Sequence, residues 1–272
     1  MKSNDEKQLE TATSNLLASF YTPHPRRKVL KGAVAGIVAG ATLSTSTLTS
    51  SGIVQAHGAT MQTPETHSGR YTSPSKILDI AITAERLAVT FYSNAIANAT
   101  VLGLNTTQLS YLQAALVEEQ IHEQFFESLG ALSLTSTFSF PDGAETFTSI
   151  HNVIQTQQQL EGVFDAAFLA GVFELAQQNH AHLAQNLAQI AVVEGEHRVL
   201  GRIVGDEFNL PGYELANDRA YSPVLVARVA DTPAIVEQAG YLSPTPGNNF
   251  SYVPVSIAFP GINYRTPFAI RS

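Results

Sequence analysis

What most constrains this chain is a set of four long segments with apolar side chains at helical spacing, and no strand-like alternation before residue 210. The first runs from about Ser75 to Ala99, with Ile77, Ala81, Ala84, Ala88, Phe91 and Ala95 on one face. The second runs from about Thr106 to Leu129, with Leu109, Leu112, Leu116, Phe126 and Leu129, and Gly130 is placed to stop it. The third runs from about Ala144 to Gln178, with Ile150, Ile154, Phe164, Phe168, Val172 and Leu175. The fourth runs from about His180 to Phe208, with Leu183, Leu187, Ile190, Val204 and Phe208, and Pro211-Gly212 closes it. Helices of about 25 residues are about 37 Å long, the proportions of an all-α four-helix bundle. The connection Ala131–Gly143 exceeds the other two, which suits one long crossover between two helix hairpins.

Charged and polar residues interrupt the apolar stripes. Glu85 lies four residues after Ala81 and three before Ala88, so it points inward with them. Glu119 and His122 fill the second stripe between Leu116 and Phe126. Glu161 lies seven residues after Ile154 and seven before Phe168, and Glu194 and His197 fill the fourth stripe between Ile190 and Val204. A buried carboxylate without a partner takes up a proton, and four in one core repel each other. Two divalent cations neutralise the four charges, and Glu and His at i and i+3 share a helix face and can serve one site. The set has a lone Glu on two helices and Glu-x-x-His on the other two, the donor pattern of di-metal carboxylate bundles.

One Glu-x-x-His match is weak in a chain with 16 Glu and 8 His; the repeat carries the weight. Glu85 precedes Glu119 by 34 residues and Glu161 precedes Glu194 by 33, while both Glu119–Glu194 and His122–His197 are separated by 75. Phe91-Tyr92 follows Glu85 by six and seven residues, and Phe168 follows Glu161 by seven, as in a duplicated two-helix unit. The competing reading is a bundle whose inward glutamates pair with Arg86, Arg198 or Arg202, which lie beside the ligand stripe rather than on it.

From about Ser75 to Phe208 the chain resembles the ferritin-like superfamily, and in particular the exported bacterial ferritin-like domain proteins related to plant desiccation-associated proteins. The resemblance implies a ferritin-like bundle with a di-iron or di-manganese centre. In it Glu85 and His122 bind one ion, Glu161 and His197 the other, and Glu119 and Glu194 bridge. The long tail and the N-terminal segment depart from cage-forming ferritins, which argues against a storage cage.

Arg26-Arg27-Lys28-Val29-Leu30-Lys31 precedes a Gly/Ala-rich apolar run to Leu43 and a small-residue cleavage pattern, Val54-Gln55-Ala56. This order resembles a bacterial twin-arginine export signal over residues 1–56, followed by a linker over 57–73. The apolar run is too short and too weakly apolar to span a bilayer; the alternative readings are a basic amphipathic tail or an uncleaved anchor. Proteins exported by that route cross the membrane folded and often cofactor-loaded.

From residue 32 onward nine basic residues face twenty acidic ones, a net −11, which disfavours nucleic acid and suits cations. Zero cysteines exclude a thiolate zinc site, an iron–sulfur cluster and a disulfide framework. The tail, residues 209–272, holds eight of the thirteen prolines and many aromatics, with a short helix expected over Asp231–Gln238. It reads as a mostly irregular wrap packed on the bundle, or as a contact in a homo-oligomer.

Glu118, Glu123, Glu127 and Glu196 flank the ligand stripes and read as solvated, with Glu118 or Glu123 available to support a ligand from behind. His180 and His182 read as a polar helix start. Glu174 faces inward only if the register drifts, and it is left out of the site. Tyr92 reads by default as core packing, and otherwise as a hydrogen-bond donor or an oxidisable neighbour near the metals.

Oxygen-rich ligands with one imidazole per ion suit Fe²⁺ or Mn²⁺, with iron expected ahead of manganese. Two functions follow. One is a redox protein, with a di-iron pair reducing O2 or peroxide, or a di-manganese pair dismutating peroxide. The other is a non-catalytic metal-binding or stress- and desiccation-related envelope protein.

Overall fold

In the computed structural model of the chain, residues 70–214, 221–222, 224–256 and 258–264 are described. The expected export signal and most of the linker lie outside them. Four long helices, α1 (Pro74–Ala97), α2 (Thr106–Ser128), α3 (Ile150–Gln177) and α4 (Ala181–Glu207), form a four-helix bundle of two hairpins, α1 with α2 and α3 with α4. Among the described residues, no helix is long and apolar enough to cross a membrane.

Local chemistry sets the helix starts. The Ser73 hydroxyl accepts from the Lys76 amide, with Pro74 in the first turn. At α2 a capping box pairs Asn105 and Gln108 reciprocally: the Asn105 side chain takes the Gln108 amide at 2.9 Å and the Gln108 side chain takes the Asn105 amide at 3.0 Å. Between α3 and α4, Asn179 turns the chain with a left-handed φ of 64°, a conformation Asn adopts more readily than most residues.

The third helix starts later than its periodicity suggests. Gly143–Phe147 is a 3-10 turn, and Ser149 is extended (φ −126°, ψ 122°), its side chain accepting from the Asn152 amide to open α3. Thr146 and Phe147 turn into the core instead of extending the helix. The crossover therefore runs from Leu129 to Ser149 and carries the short strand β1 (Thr137–Phe138), which pairs antiparallel with β2 (Phe250–Ser251). Among the described residues this two-stranded ribbon and an isolated antiparallel bridge between Thr245 and Asn248 are the β-structure in an otherwise helical fold.

The described part of the tail lies against the bundle. After a 3-10 turn (Val229–Asp231), the short helix α5 (Thr232–Gln238) ends at Gly240, whose φ of 92° few other residues tolerate. Phe140 and Phe147 of the crossover meet Phe250 edge-on at 5.0 and 5.4 Å, and Phe147 reaches Phe91 of α1 at 5.9 Å. Glu174, left out of the sequence-based site, is buried and clamps both ends of the fold. It accepts from the Thr72 amide at 2.7 Å, the Thr72 hydroxyl at 3.0 Å and the Val229 amide at 2.9 Å.

Candidate metal centre

Each of the four helices sends a glutamate into the middle of the bundle, and α2 and α4 add a histidine one turn on. Glu85, Glu119, His122, Glu161, Glu194 and His197 are all buried, His122 being the most exposed at 8 %. They form two groups whose donor atoms lie within 4.8 Å of one another: Glu85, Glu119, His122 and Glu194, and Glu119, Glu161, Glu194 and His197. Glu119 and Glu194 belong to both groups.

The shared carboxylates divide their oxygens. Glu119 turns Oε2 to His122 Nδ1 at 3.8 Å and Oε1 to His197 Nδ1 at 3.1 Å. Glu194 turns Oε1 to His122 Nδ1 at 3.4 Å and Oε2 to His197 Nδ1 at 3.2 Å. Glu85 completes the first group at 3.6 Å from His122 Nδ1, and Glu161 the second at 3.5 Å from His197 Nδ1. Two donors each about 2.1 Å from one ion lie about 3.0 Å apart at a right angle and about 3.6 Å apart at 120°. The observed spacings fall largely in that interval.

Several of these atoms have no hydrogen-bond partner despite complete burial: Glu85 Oε1, both oxygens of Glu119, His122 Nδ1, Glu161 Oε2 and Glu194 Oε1. Lone pairs converging on one volume with too few donors are costly in an apolar core and suit a cation. The residues present therefore fit two divalent ions.

Without cations, protons must do the balancing. Burial, with the charge of Glu119, pushes the Glu85 carboxyl well up. Burial likewise pushes Glu161 well up, against the attraction of His197. Burial also acts on Glu119, but the neighbouring His122 and His197 imidazoles hold it well below the usual carboxylate range. Glu194 is also held low by both histidines, despite burial and the nearby Glu119 charge. Burial opposes charge on both imidazoles, yet the surrounding carboxylates push His122 and His197 well up. In the cluster Glu119 and Glu194 thus favour the anion, Glu85 and Glu161 the neutral acid, and both imidazoles the cation.

Side chains behind the ligands fix the second group. His197 Nε2 is 2.9 Å from Glu118 Oε2, a contact that orients the ring with Nδ1 toward the cluster. The Tyr92 hydroxyl donates to Glu161 Oε1, and the Tyr92 ring meets the His197 ring edge-on at 6.0 Å. Gln157 Nε2 donates to the Tyr92 oxygen at 3.2 Å and to the His197 carbonyl at 2.7 Å. Gly201 permits this approach, because a Cβ there would lie 2.0 Å from Gln157 Oε1.

The arginines pair elsewhere. Arg86 binds Glu123 at 2.8 Å and Glu127 at 2.7 Å, and lies 4.9 Å over the ring of Tyr252, whose hydroxyl donates to Glu123 at 2.8 Å. Arg198 reaches Asp165 at 3.2 Å. Glu123 is therefore a docking point for the tail. His182 is exposed, and His180 starts α4 without a side-chain cap. The sequence singled out neither Gln157 nor Asp165. A glutamine one turn before Glu161 was the available hint for the first; Asp165, four residues after it, could be read as a pair for Arg198 only once helix neighbours were known.

Residues 73–204 match the family model of the ferritin-like domain. No curated protein and no solved structure matches the chain. The bundle is ferritin-like in fold, and its buried carboxylate and histidine groups fit a di-metal protein of that kind.

Proposed function

We propose that the chain is an exported di-metal carboxylate protein that holds two divalent ions, iron ahead of manganese, and uses them to reduce O2 or peroxide. The observation carrying this reading is the division of the oxygens of Glu119 and Glu194 between two histidine-bearing groups. In it Glu85 and His122 serve one ion, Glu161 and His197 the other, and Glu119 and Glu194 serve both. Two Fe²⁺ bound there would supply one electron each, the two electrons needed to reduce O2 with two protons to hydrogen peroxide, or hydrogen peroxide with two protons to two waters.

The chain's own groups do the rest. Glu118 holds one nitrogen of His197 so that the other faces the cluster. Tyr92 restrains Glu161 through one oxygen and leaves the other without a partner. Carboxylates can change binding mode as charge on the ions rises, so the helices need not move. The oxygen-rich donor set favours hard metals that change valence. Export rests on Arg26-Arg27 and the segment after it. Replacing both arginines by lysine should retain the protein in the cytoplasm, read by cell fractionation.

The redox role is tested by loading the protein anaerobically with two Fe²⁺ per chain and mixing it with aerated buffer. Iron oxidation should outrun that of free Fe²⁺, and Glu119→Ala should abolish the difference. Oxidation no faster than in buffer, at full metal content, would leave a metal-binding protein without redox turnover.

A further inference from the structure

Beside the second group a small cavity opens toward the flank of the bundle. Its volume is about 20 Å³ and its walls come from all four helices. Tyr92, Gln157 and His197 form the inner end, Ala115 one side, and the half-buried Tyr111 and Leu200 the outer rim.

The cavity presents only apolar surface, although three of its inner residues are polar. The reason is in their hydrogen bonds. The Tyr92 hydroxyl is committed to Glu161 and receives Gln157 Nε2, while Gln157 Oε1 accepts from Gln158 Nε2 at 2.5 Å. His197 uses Nδ1 toward the cluster and Nε2 toward Glu118, leaving ring carbon for the wall.

We propose that this cavity is a dioxygen site: the place where O2 rests on its way from the bundle flank to the candidate metal centre. The inference rests on the redox reading above and narrows it to O2 as the oxidant. Room of about 20 Å³ takes one very small molecule and excludes an acyl chain or a ring. Water and hydrogen peroxide would give up hydrogen bonds to enter walls that offer none. O2 has none to lose. Fe²⁺, strongly hydrated, would meet there only apolar surface and polar groups already committed to other partners.

Xenon reports such sites because it needs the same apolar room. Crystals of the metal-free full chain, pressurised with xenon, should show a xenon atom beside Tyr92 and His197. Ala115→Leu, which fills the cavity from the helical turn before Glu119, should remove it. In the Fe²⁺-loaded protein the same substitution should lower the second-order rate constant with O2 at least tenfold, at unchanged iron content. No xenon in the parent cavity would overturn the proposal, and so would an O2 rate in Ala115→Leu within twofold of the parent. If Ala115→Leu does not fold, the parent's xenon map decides. Failure to bind two ions would instead defeat the functional reading, because the xenon map is recorded without metal.

Discussion

Loading the centre with metal should expel protons, and the number follows from the cluster's charge balance. Without metal, Glu85, Glu161, His122 and His197 all have their pKa values pushed well up, toward their protonated forms; with all four protonated at pH 7 they hold four protons among them. A metal ligand must be a carboxylate or a neutral imidazole. Two divalent ions therefore displace about four protons, which also keeps the buried charge at zero. Each proton makes the binding constant tenfold weaker per unit fall in pH. From pH 7 to pH 6 the overall constant for two ions should drop about 10⁴-fold, or about 2.7 kcal/mol per ion. Manganous ion titrated calorimetrically into the metal-free protein, in buffers of differing ionisation enthalpy, gives the count directly. Fewer than two protons released per pair of ions, or an affinity flat between pH 6 and pH 7, would refute this charge balance.

The same shifts fix how the metal-free fold responds to pH. The four groups keep protons in the fold that the unfolded chain has lost above about pH 6.5, so stability falls as pH rises; thermal melts should drop steadily from pH 7 to pH 9. A rising melting temperature over that range would contradict the assignment. Glu174→Ala strands the Thr72 and Val229 amides and should cost about 2–4 kcal/mol in urea unfolding. Glu118→Ala leaves the buried His197 Nε2 without that partner and should weaken metal binding about 10–100-fold, beyond a loss of about 1–3 kcal/mol in unfolding of the metal-free protein. Gly201→Ala drives a Cβ into Gln157 and should cost about 1–3 kcal/mol by the same unfolding assay.

The inward placement of Glu85, Glu119, His122, Glu161, Glu194 and His197 could be read from the sequence because helical period is a strong signal and each interrupts an apolar stripe. Glu85 between Ala81 and Ala88, or His197 between Ile190 and Val204, has one available direction once the helix is granted. The start of α3 was less legible. Nothing in the apolar spacing separates Thr146 and Phe147 from the helix, since both are buried, and only the Ser149 cap marks the break. Glu118 looked like a solvated neighbour of Glu119 because its partner, His197, is 79 residues away. Glu174 fell off the stripe by register, yet the tail's return places Val229 over it, a contact that helical spacing does not encode. The β1–β2 ribbon was missed for a related reason: two-residue strands carry no alternation to detect.

The central claim is that Glu119, His197 and their four companions hold two metal ions. The most direct measurement is elemental analysis of the protein purified from cells supplied with iron and manganese, beside a Glu119→Ala/His197→Ala double variant. The account predicts close to two ions per chain in the parent and loss of both in the variant. A parent without metal whose bundle is still folded, or a variant that keeps its full metal content, would contradict it.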